Sequence, residues 1–214
     1  MPPRAKYTKE EIIQTAFEMT REKGFGSVTA RELGKKLGTS VTPIFNVFQN
    51  MSELQSEVRN LALKEFEKYV ADAVNYTPAF KQFGVQMIKF ATEEPQLFRI
   101  LYMDVNEESQ SFEVMIEGLG EPAQICMALI QQDYGVSEQD AVRLFRQAWI
   151  HTFAICVLLV NKICYFSKEE IMNMLGLDFQ GSLMLIKAGQ YQSIDVTSKK
   201  KTGRMPVKTK EKGR

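Results

Sequence analysis

The chain has 214 residues, 44% of them hydrophobic, and its 27 basic and 26 acidic side chains leave a net charge of +1. Such a length and apolar fraction suit one small domain plus one larger helical domain with a buried core, and they exclude a chain that is disordered throughout. The longest uninterrupted apolar run, Phe153 to Val160, falls far short of the roughly 20 residues of a membrane span, and the N-terminus lacks the apolar stretch of a signal peptide, so a cytoplasmic protein is expected.

Thr8-Lys9-Glu10-Glu11 is a capping box. It predicts an amphipathic helix through Ile12, Ile13, Ala16, Phe17 and Thr20 that stops at Gly24. Thr29 and Ser40 are then expected as the N-caps of two short helices, with Glu32 completing a second box and Gly38 taking the left-handed backbone that ends the first of them. Leu33, Leu37, Ile44 and Phe48 recur every three or four residues and form one apolar seam. Val41, Thr42, Phe45 and Asn46 remain on the outside. Two helices meeting at such a turn read as a helix-turn-helix, whose second helix enters the major groove.

The ordered motifs I-I-x-x-A-F, K-G-F, V-T-A-R-E-L-G-K-K-L-G-T-S and P-I-F-N-V-F-Q-N-M-S-E-L resemble the N-terminal domain of TetR-type (TetR/AcrR) transcriptional repressors over roughly residues 7 to 60. The Glu93–Arg99 stretch and the Trp149–Ala154 helix followed by Ser167–Ile171 are similar, more loosely, to C-terminal segments of that family. The resemblance implies an all-α homodimer. Its N-terminal three-helix domain holds double-stranded operator DNA, and its C-terminal helical domain dimerises and in many members takes a small molecule that releases the DNA.

Residues that begin the second helix of such a motif lie nearest base edges, so Val41, Thr42, Pro43 and Asn46 are the direct-readout candidates. Asn46 can pair bidentately with adenine, while the methyls of Val41 and Thr42 can pack on a thymine methyl. No arginine is present to anchor a guanine. Thr29, Arg31, Lys35, Lys36 and Ser40, with Arg4 and Lys6 on the N-terminal arm, are candidates for phosphate. Where the resemblance implies a tyrosine and a lysine on phosphate, the chain has Phe45 and Met51. Phe45 reads as a further contact of the same face or as a half-buried packing residue.

Asn50 or Ser52 opens a long helix from about Glu53 to Val74 that connects the two domains, taken as residues 1–50 and 51–195. Further helices are expected from Ala79 to Thr92, after Glu94-Pro95, from about Ser109 to Asp133 with a kink at Gly118, Gly120 and Pro122, from Ser137 to about Lys162, and from Ser167 to about Gln190. The last two are long. Trp149, Phe153, Val157 and Val160 on one, with Leu175, Phe179, Leu183 and Ile186 on the other, are the expected seam of a four-helix dimer interface.

Aromatic and methionine side chains of the larger domain can line an adaptable pocket, although at helical spacing they also read as ordinary core. Phe83, Met87, Phe98, Tyr102 and Trp149 are the candidates for an apolar or aromatic effector. His151 is the sole histidine and reads as a core or interface residue. Cys126, Cys156 and Cys164 lack metal-ligand spacing, so neither metal nor cofactor is expected. Two further readings stay open: a DNA-binding protein controlled by a protein partner, and, more distantly, a helical enzyme, for which no catalytic motif is found.

Charge is segregated. Residues 1–60 carry 9 basic and 7 acidic groups, residues 61–195 carry 10 and 18, and residues 196–214 carry 8 and 1. The two basic ends suit a polyanion and the acidic body points away from it. The last segment is expected to be a disordered basic tail.

Overall fold

Among the described residues six of the ten helices start at a side-chain cap and four end at a glycine. In the computed structural model, which describes residues 7–76, 78–104 and 111–191, Thr8 makes both bonds of its capping box with Glu11 and opens α1 (Lys9–Lys23), which ends at Gly24 with φ 81°. Ile12, Ala16, Phe17 and Thr20 form its buried stripe. Thr29 caps α2 (Ala30–Leu37) by accepting from the Glu32 N–H. The N–H of Thr29 itself donates to the Ser27 carbonyl at 3.2 Å, so only one arm of the expected box is used. Gly38 adopts the left-handed conformation, φ 67° and ψ 37°, that closes α2.

Then comes α3 (Thr42–Phe45), whose N-cap is Val41 and not Ser40. Pro43 lacks one of the two N–H groups that a serine cap at position 40 could take, that three residues on, and leaves only that of Thr42. Gly34 sets the tightness of the turn: a Cβ there would stand 3.0 Å from the Thr39 carbonyl oxygen and 3.2 Å from that of Ser40, so any side chain would push the two helices apart.

Asn50 caps α4 (Met51–Val70), with Leu54, Val58, Ala62, Phe66 and Val70 buried. The chain tightens into a 3-10 turn at Ala71–Asn75, so the expected end of this helix at Val74 moves back to Val70. After α5 (Ala79–Glu93) and α6 (Pro95–Tyr102), the single kinked helix expected from Ser109 is two helices. Ser111 caps α7 (Phe112–Glu117) and α8 runs Glu121–Tyr134. Gly120 between them has φ 66° and ψ −150°, a conformation open only to glycine, and it breaks the helix outright. Ser137 then caps α9 (Glu138–Val160) and Ser167 caps α10 (Lys168–Lys187).

These ten helices are joined without a strand among the described residues. α1 packs on α2, α4 and α6; α9 is the centre of the rest and packs on α5, α8 and α10. By length and composition α9 is apolar enough to cross a membrane, with mean hydropathy 1.3 over its central window. Its apolar faces are instead spent largely on neighbouring helices: Leu144, Phe145, Trp149, Ile155 and Cys156 are all buried.

Of the residues expected in a seam between two copies of the chain, Trp149 and Val160 are buried within one, while Phe153, Val157, Leu175, Phe179, Leu183 and Ile186 are half-buried and pack on its core. Apolar residues facing outward on the same helices are others: Ile150 on α9, and Leu177, Met184 and Leu185 on α10.

Candidate nucleic-acid interface and core cavity

Leu33, Ile44 and Phe48 lie buried between the first helices, and Leu37 packs beside them. This seam turns the other side of α3 outward: Val41 is 40% and Phe45 47% exposed, with Thr42 and Asn46 also exposed and Pro43 half-buried. From Leu37 to Ser52 the chain has no charged side chain, so the face of α3 is wholly neutral. Its flank is not. Thr29, Arg31, Lys35 and Lys36 on or beside α2 are all exposed, as is Ser40 in the turn. Met51 is half-buried against the core and is no substitute for a lysine. Lys6 and Arg4 lie outside the described residues, as does the basic tail.

Thus one end of the molecule presents a neutral, methyl-rich ridge with a hydroxyl and an amide on it, bordered by cations. Neutral groups of this kind read base edges, and cations border them on phosphate. Within this end Tyr7 donates from its hydroxyl to the Leu37 carbonyl, and two ion pairs tie the end to the rest. Lys9 Nζ lies 2.6 Å from Glu57 Oε1 on α4, an ion pair that raises the lysine pKa and lowers that of the glutamate. Arg21 of α1 donates from Nε to Glu94 Oε2 at 2.8 Å and makes a second bond to the other oxygen, directly before α6.

A second feature lies in the body. Phe80, Phe83 and Met87 of α5, Tyr134 of α8, Phe145 and Trp149 of α9, and Leu175, Phe179 and Leu183 of α10 line a cavity of about 390 Å³. Gly84 lines it too, and a Cβ there would make ordinary contacts, 3.5 Å from Thr152 Oγ1 and 3.7 Å from Leu175 Cδ1. Asp178 stands at its edge, where Oδ1 lies 3.3 Å from His151 Nδ1 and accepts from Gln147 Nε2 at 3.5 Å. His151 is therefore an interhelical tie on the side of the cavity.

Of the five candidates for an effector, Phe83, Met87 and Trp149 line this cavity, but Phe98 and Tyr102 do not. Phe98 is wholly buried and packs against Tyr102 at 5.1 Å and Phe153 at 5.9 Å between ring centroids. Tyr102 meets Phe66 and Trp149 edge-on, both at 6.1 Å. Its hydroxyl oxygen is buried with no hydrogen-bond partner, and burial raises its pKa. These rings stand behind the cavity wall and not in it. Phe80, Tyr134, Phe145 and Phe179 are the lining residues the sequence reading missed as a set; helical periodicity marks them as inward, and only the packing of four helices shows that they leave a gap.

No cluster of three or more His, Cys, Asp or Glu side chains able to hold a metal occurs among the described residues. Cys126 and Cys156 are buried and Cys164 is exposed. Burial alone pushes the Cys126 thiol up to about 12 and raises that of Cys156 as well, so both are unreactive packing groups at neutral pH.

The family model described as bacterial regulatory proteins, tetR family, matches residues 12–58, from the first buried turn of α1 to the middle of the first half of α4. No curated protein matches the chain.

Proposed function

From the premise that residues 12–58 make this chain a DNA-binding transcriptional regulator of the tetR family, we propose that it is a cytoplasmic, homodimeric repressor of a pseudo-palindromic operator, released by a small apolar or aromatic effector. In this reading residues 1–50 are the reading head, α4 is the connector and residues 51–195 form the effector-binding and dimerisation domain. The observation that carries the DNA assignment is the neutral outward face of α3, Val41, Thr42, Phe45 and Asn46, beside the cations Arg31, Lys35 and Lys36. What supports the effector is the cavity, whose walls are aromatic and aliphatic almost throughout and so favour a compound without a strongly hydrated group.

Base selection from random duplexes, followed by binding assays, tests the reading. Asn46→Ala is expected to cost about 1–3 kcal/mol on the best operator and to relax the preference at one position, whereas Lys36→Ala weakens all sequences alike and lowers the salt slope by about one unit. Equal loss on operator and random DNA for the Asn46 variant contradicts its assignment to a base edge. A thermal-shift screen of apolar compounds tests the effector, because a ligand that binds only the folded state raises its melting temperature; a protein partner takes its place if none does.

A further inference from the structure

Below the corner where α5 meets α6 lies a second concavity that the DNA-binding reading does not use. It is a groove of about 790 Å³, twice the volume of the aromatic cavity, lined by Val85, Ile88, Ala91 and Thr92 of α5, by Pro95, by the turn from Leu159 to Phe166, and by Ile171 and Met172 of α10. Its outer wall is that turn, and the turn is unusual. Ile163 is 63% and Tyr165 88% exposed, two large apolar side chains standing in water next to an apolar floor. Lys162 beside them has φ 54° and is the left-handed residue of the cap that ends α9, where the Ile163 N–H donates to the Leu158 carbonyl at 2.9 Å and the Lys162 N–H to that of Leu159 at 3.0 Å.

Charge gives the groove its character. Lys89, Lys162 and Lys168 line it, and no acidic residue does. Among the described residues no salt bridge involves these three lysines, and Lys89 Nζ lies 5.8 Å from the centroid of the Tyr69 ring. Glu93, the carboxylate nearest to Lys89 on α5, accepts from the hydroxyl of the same Tyr69 at 2.9 Å, Glu94 holds Arg21, and Glu170 next to Lys168 accepts from the Ser167 N–H at 2.7 Å. An apolar trough with a one-signed cationic lining is complementary to a molecule with an apolar tail and an anionic head. We propose that this groove binds a free long-chain carboxylate, its chain along Ile88, Val160 and Ile171 and its head among Lys89, Lys162 and Lys168. The site is separate from the aromatic cavity and does not depend on the effector assigned to it.

Calorimetric titration of the full chain with laurate, decanoate and octanoate below their micelle concentrations tests this. Saturable binding is expected, strengthening by up to about four-fold for each methylene that the groove fully buries, with dodecyltrimethylammonium at least ten-fold weaker than laurate. The triple variant Lys89→Glu, Lys162→Glu, Lys168→Glu, checked for an unchanged circular dichroism spectrum, loses at least ten-fold in laurate affinity while dodecanol is little affected. Trp149, the only tryptophan in the chain, lies in the wall of the aromatic cavity and not in the groove, so its emission stays constant as laurate binds. The proposal is overturned by absence of binding, by equal affinity for the cationic surfactant, by an unaffected triple variant, by a Trp149 response that tracks laurate occupancy, or by binding to anionic phospholipid vesicles alone.

Discussion

Exchange of both Leu177 and Met184 for glutamate is expected to leave a folded monomer whose affinity for an operator with two half-sites is about 10²–10⁴-fold below that of the parent chain. The two residues are 74% and 72% exposed and lie seven positions apart on α10, hence on one stripe of the helix. Gly181 stands between them with nothing within 4 Å of where its Cβ would be, so a second helix can approach closely along that stripe. Ile150 of α9 and Leu185 add exposed apolar surface beside it. Since neither Leu177 nor Met184 contributes to the core of its own chain, the charges act on association and leave folding intact. The loss in DNA affinity follows from valency: in a dimer the second head binds at a high effective concentration once the first is seated, and in a monomer it does not. Sedimentation and gel-shift titration on the same samples check both halves. A variant that stays dimeric removes this stripe from the interface, and a monomer that binds with parental affinity removes the dimer from the mechanism.

Much of this architecture is legible in the sequence wherever structure is decided locally. Thr8, Thr29, Ser111, Ser137 and Ser167 each accept from the N–H three residues on, and that bond needs only a short polar side chain at the right offset. Ser40 does not cap α3, whose N-cap is Val41, and the missing N–H of Pro43 removes only one of the two partners it had. The break at Gly118-Leu119-Gly120 is different in kind. A glycine pair signals either a kink or a stop, and the choice lies in the φ of Gly120, which tertiary packing sets. The reading face is legible because burying Leu33, Ile44 and Phe48 leaves only one side of α3 for solvent. The cavity and the exposed stripe of α10 are not, since periodicity tells which side chains point inward but not around what gap they pack. Hence Phe98 and Tyr102, correctly inward, stand behind the cavity wall, and the α10 residues expected between two chains are half-buried against the core of one.

An effector seated in the aromatic cavity and the operator are expected to weaken each other by the same factor, of the order of 5–150-fold, equivalent to about 1–3 kcal/mol of coupling. A physical route runs between the sites. Trp149 in the cavity wall stacks on Phe153 with centroids 5.1 Å apart and planes 8° from parallel, and Phe153 stacks on Phe98 of α6. α6 buries Leu97, Phe98, Ile100 and Leu101 and packs on both α1 and α4, while Arg59 Nη2 of α4 donates to the Leu101 carbonyl at 2.7 Å. The carboxylate of Glu94, with a side chain only 11% exposed, grips Arg21 of α1 at the start of the same helix. Any displacement of α6 therefore reaches the head through two helices, and both heads must enter successive major grooves about 34 Å apart for the operator to be held. Glu94→Gln keeps the shape of the side chain and removes the charge that holds Arg21. This variant is expected to bind effector as the parent does in the absence of DNA and to lose most of the antagonism when operator is added. Effector titrations with and without saturating operator, on both proteins, measure the factor directly. Equal effector affinity in the two conditions for the parent chain excludes this mechanism and leaves control to a protein partner, whereas a strong antagonism that survives in Glu94→Gln moves the coupling from α1 to the contact between α6 and α4.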